Sequence, residues 1–92
     1  MARKPPEFQP GLILLDVLVG AFRARGTSFE SWCKSKGYSS MNLRNATLGG
    51  SRTPHALMML DEALDAAGRD FVLSVYRDRV GEHWAELQKG AA

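Results

Sequence analysis

The chain has 92 residues, 45% of them apolar and 24% charged, with a formal net charge of +2, which describes one domain able to bury a single modest core. One cysteine, Cys33, excludes an internal disulfide and fits a reducing compartment. The longest apolar run, residues 12–19, is interrupted by Asp16 and is far too short to span a bilayer, and the opening Met-Ala-Arg-Lys-Pro-Pro does not lead into a signal-peptide core, so a cytoplasmic location is expected.

Residues 1–9 carry Arg3, Lys4, Pro5 and Pro6 and are not helical through the prolines. A flexible basic arm is expected, either a disordered terminus or an arm that enters a minor groove. The first helix is expected over residues 10–25, where Leu12, Leu15, Leu18, Val19 and Phe22 recur at steps of three and four. It is apolar nearly all round at its start, which suits the centre of the core. Arg23 and Arg25 fall in its last turn, where cations complement the helix dipole.

Residues 27–48 predict two short helices joined by a tight turn. Thr27 as N-cap and Glu30 three residues on form a capping box, and Gly37 ends the helix by permitting left-handed geometry. Phe29, Trp32 and Cys33 make its inner stripe, Trp32 as a core aromatic and Cys33 as a small buried hydrophobe. Ser28 lies at the helix start, where backbone donors and the dipole suit a phosphate. Ser39 then caps a second helix that Gly49 and Gly50 close.

On the wheel of that second helix Leu43 and Ala46 face inward, against Phe29 and Cys33. Met41, Arg44, Asn45 and Leu48 lie opposite, with Ser40 beside them. Arginine bonds bidentately to guanine and asparagine to adenine, while a methionine or leucine meets a thymine methyl. These five are therefore the candidate base-contacting residues, and Ser28, Lys34, Ser39, Arg52, Thr53 and His55 the candidate phosphate contacts. Charge is distributed in keeping with this: residues 1–52 hold eight Lys or Arg against three acids, and residues 53–92 hold four against seven. No acid occurs from Ser31 to Pro54, a stretch containing Lys34, Lys36, Arg44 and Arg52. Such a stretch is either a face turned to phosphate or simply a solvated one.

Gly26-Thr27-Ser28-Phe29, Gly37-Tyr38, and Leu43-Arg44-Asn45-Ala46 with Leu48 together resemble the helix-turn-helix of the Ner-like phage regulators, within the phage repressor and Cro type. The resemblance spans roughly residues 18–64. It implies sequence-specific binding of double-stranded DNA, transcription regulation as a repressor, and association with the nucleoid.

Thr53 as N-cap and Pro54 at N1 start a fourth helix that Gly68 ends. Its inner face is expected to hold Ala56, Leu57, Leu60, Ala63, Leu64 and Ala67, and its outer face Asp61, Glu62 and Asp65. His55 is either a phosphate contact or an exposed histidine without function. A last helix is expected over residues 70–88, with a buried stripe of Leu73, Tyr76, Val80, Trp84 and Leu87 and a second apolar side at Phe71 and Val75. Phe71 and Val75 either form the interface of a two-fold homodimer or pack on the fourth helix.

The expectation is an all-α, compact five-helix domain with a central helix-turn-helix and a C-terminal dimerisation helix. Two histidines without metal-ligand spacing, and no nucleophile beside a base, argue against an enzyme, a metal, a cofactor or a small-molecule substrate. The competing expectation is a protein-interaction module whose Met41 and Leu48 dock a partner protein.

Overall fold

A computed structural model describes residues 8–90, with side chains described as far as Trp84. The first seven residues, which hold most of the expected basic arm, and Leu87 of the expected stripe therefore lie outside the described residues and side chains. Five helices account for the regular structure: α1 (Leu12–Ala24), α2 (Phe29–Lys36), α3 (Ser40–Leu48), α4 (Pro54–Ala67) and α5 (Arg69–Gly90). The all-α, five-helix class is as the sequence predicts. Among the described residues no helix is long and apolar enough to cross a membrane.

Helix α1 is the centre of the molecule and touches all four others. Leu14, Leu15, Val17, Leu18, Ala21 and Phe22 are buried on one face, with Ile13 and Val19 partly buried at its margins, whereas Leu12, expected in the inner stripe, is 68% exposed beside Asp16 and Gly20. Around it the core closes with Phe29 and Cys33 of α2, Leu43 of α3, Met59, Leu60, Ala63, Leu64 and Ala67 of α4, and Val72 of α5. Phe22 is the aromatic hub, edge-on to Phe29 at 6.3 Å and stacked on Trp32 at 5.5 Å. Trp32 is thus partly buried against the core by its stack on Phe22.

Helix starts follow the sequence at α3 and α4. Ser39 accepts from the Asn42 N–H at 3.3 Å and Thr53 from the Ala56 N–H at 3.1 Å. Gly37 and Gly49 end α2 and α3 with φ of 73° and 89°, and a Cβ on Gly49 would lie 3.0 Å from the Pro10 side chain. The start of α2 is different. Its N-cap is Ser28 and not Thr27: the Ser31 N–H donates to the Ser28 hydroxyl at 3.0 Å, and that hydroxyl donates to Ser31 Oγ at 2.9 Å. The shift of one residue arises because the Gly26 and Thr27 N–H groups still close the end of α1, on Arg23 and Phe22 carbonyls. Glu30 is then out of register for a capping box.

Three further departures concern what is buried. Phe8 and Gln9 do not belong to a loose arm: Phe8 is buried against the Tyr76 ring at 5.5 Å, and the Gln9 N–H donates to Tyr76 Oη at 3.1 Å. Prolines and charges dominate the composition of that segment, yet its one aromatic has an apolar slot to fill. In α4, Met59 takes the inward position and Leu57 is 50% exposed. In α5, fully buried Val72 is the inward anchor, with Leu73, Val75 and Tyr76 partly buried against the core. Val80 and Trp84 are exposed, the tryptophan by 63%, although Asp16 of α1 still pairs with neighbouring Arg79 at 3.8 Å. Thr47, also fully buried, donates its hydroxyl to the Leu43 carbonyl at 2.7 Å and accepts the Gly11 N–H on its own carbonyl at 2.9 Å.

Candidate nucleic-acid interface

Helix α3 buries Leu43, Ala46 and Thr47. At 100° per residue this turns Met41, Asn45 and Leu48 to solvent. Met41 is 69% exposed, Leu48 41%, and Asn45 is exposed between them. Ser40 and Arg44 sit on the shoulder toward α2 and are only partly exposed. Asn42 occupies the opposite shoulder, toward α4, and is exposed. Asn42 is not among the five expected residues, although its position three residues before Asn45 and one before the buried Leu43 marks it in the sequence.

Arg44 is not a free outward cation. Its Nη2 donates to Glu30 Oε1, and its guanidinium carbon lies 5.2 Å from the centroid of the Phe29 ring. Glu30, freed from the capping role expected of it, supplies the partner. Its carboxyl titrates below the ordinary value of 4.5, first because it accepts from its own backbone N–H and then because Arg44 donates to it. One of the four cations in the acid-free stretch is therefore neutralised from outside that stretch.

Of the candidate phosphate contacts, Asn45's neighbours Thr53 and His55 come together with Asn42 and Ser51 in a polar notch of about 220 Å³ between α3 and the start of α4. His55 lies edge-on to the Tyr38 ring at 6.0 Å. The Tyr38 hydroxyl donates to Glu62 at 2.9 Å, and this bond to a carboxylate pushes its ionisation above 10.0. Lys34 is exposed on α2. The hydroxyls of Ser39 and Thr53 are committed to capping. Ser28 is committed too, as the cap of α2. Arg52 lines the adjoining cleft of about 430 Å³ with Leu57, Leu60 and Leu64, and Ser51 borders both cavities.

At the expected dimer surface, Phe71 is exposed while Val75 packs against the protomer's own core. Cys33 is buried under α2, and burial, then the charge of Glu30, raises its thiol above 9.0. No group of three or more metal-ligating side chains occurs among the described residues. No family model, curated protein or solved structure matches this chain.

Proposed function

We propose that the chain is a sequence-specific binder of double-stranded DNA, a transcriptional regulator of the phage repressor and Cro type, acting as a repressor. The supporting observation is the orientation of α3: three of its residues are sunk in the core, and Met41, Asn45 and Leu48 stand clear of it with Arg44 at their edge. A helix so mounted fits the major groove, with Asn45 on an adenine, Arg44 on a guanine and Met41 and Leu48 on thymine methyls. Asn42 joins this set. Lys34, His55 and Arg52 are assigned to phosphates, with Ser39 and Thr53 beside them as helix caps.

A two-fold dimer would set two such helices about 34 Å apart. With Val75 engaged in the core, its interface is drawn on Val80 and, one turn further on, Trp84, exposed apolar side chains on the side of α5 opposite Phe71. Selecting bound duplexes from a random pool tests the reading. A palindromic consensus is expected. Arg44→Ala should then cost about 1–3 kcal/mol on that consensus and relax one base pair, whereas Arg52→Ala should weaken all duplexes alike.

The exposure of Met41 and Leu48 also suits docking of a partner protein. Salt separates the two, because binding through several phosphates falls steeply as salt rises and apolar docking does not.

A further inference from the structure

From Val17 to Leu60 the chain contains a single acid, Glu30. It stands on the surface assigned to DNA, its side chain 56% exposed, where a carboxylate repels every phosphate that approaches. It also holds Arg44, whose guanidinium is at the same time flanked by Phe29. Phe29 and Glu30 are consecutive in the first turn of α2, a turn fixed by the Ser28 and Ser31 hydroxyls. Both restraints on Arg44 thus come from one rigid piece of backbone.

A guanidinium has five N–H donors in a planar fork. One donor goes to Glu30, and the ring lies against the group. A two-donor edge remains, and the side chain is still 42% exposed. Bidentate recognition of guanine needs one such edge. An arginine already restrained loses less freedom on docking and reaches fewer alternative bases or phosphates.

We infer that Glu30 is a specificity-determining positioning residue, which orients Arg44 toward one guanine and by its own charge suppresses binding to all other duplexes. The inference rests on the DNA-binding reading above. It predicts effects of opposite sign from one side chain, which a merely structural salt bridge would not produce.

The test uses the full chain with three duplexes: the selected consensus, the same duplex with the Arg44 base pair replaced, and a random sequence. Glu30→Gln removes the charge and keeps an acceptor, so random-duplex binding should tighten and the salt slope steepen by about one. Glu30→Ala removes both, and discrimination at the replaced base pair should fall about tenfold. In an Arg44→Ala background the same change should leave discrimination unmoved. Unchanged discrimination in Glu30→Ala, or weaker random-duplex binding in Glu30→Gln, overturns the role of Glu30 alone. If the parent chain prefers no duplex, the DNA-binding reading fails and this inference fails with it.

Discussion

At the scale of single residues, hydroxyl placement decides where α2 begins. Ser28 satisfies the Ser31 N–H, and Thr27 is exposed with no capping bond. Ser28→Ala should therefore lower stability by about 1 kcal/mol, a typical loss for an N-cap, with Thr27→Ala close to neutral in the same urea titration. Tyr38 provides a pH test. Its ionisation is raised by the bond to Glu62, so the protonated form is favoured by folding. The stabilisation is fully present below pH 10.0 and is lost as pH rises through the folded value. Tyr38→Phe should remove that component of alkaline destabilisation from a melting series. The sequence does not reveal either feature, because both depend on which neighbour arrives first. The choice of Ser28 over Thr27 is made by the end of α1, and Glu62 meets Tyr38 only across the fold.

At the scale of elements, helices whose both ends are marked locally were fully legible. For α4, Thr53 and Pro54 at the start and Gly68 at the end are sufficient, and for α3 so are Ser39 and Gly49. Inward faces were legible where one stripe dominates. They were not where the apolar residues run on consecutive positions: Leu57-Met58-Met59-Leu60 offers two nearly equivalent choices, and α1 packs on the one containing Met59. In α5 periodicity alone does not decide burial, since Val80 and Trp84 match a stripe and yet are exposed. Val75→Glu should unfold the protomer, because Val75 contacts the core, and circular dichroism should show lost helix. Val80→Glu with Trp84→Glu should preserve helicity and, if α5 pairs with a second copy, yield a monomer in sedimentation.

For the molecule as a whole, the segment before α1 matters more than its composition suggests. Phe8 and Gln9 rest on Tyr76 of α5, and Gly11 bonds to Thr47 at the end of α3, so one short stretch ties α5 and α3 to the start of α1. Phe8→Ala should cost about 3–5 kcal/mol, as for truncation of a buried aromatic. At about 4–8 °C per kcal/mol for a domain of this size, a melting curve should show it plainly. Of the candidate site, the outward positions of Met41, Asn45 and Leu48 were legible from the wheel, whereas Ser40 and Arg44 lie on the shoulder toward α2. The tether on Arg44 was not, since it joins residues fourteen apart in sequence through a helix start that was itself misregistered by one position.

The sealed position of Cys33 has a practical consequence. Its thiol is covered on all sides and disfavoured as thiolate, so alkylating and disulfide-exchange reagents meet it only when the domain opens. Because the chain has no other sulfhydryl, its rate of modification becomes a native clock for global opening, and occupancy by any ligand that favours the closed form should slow that clock without a tag or a dye.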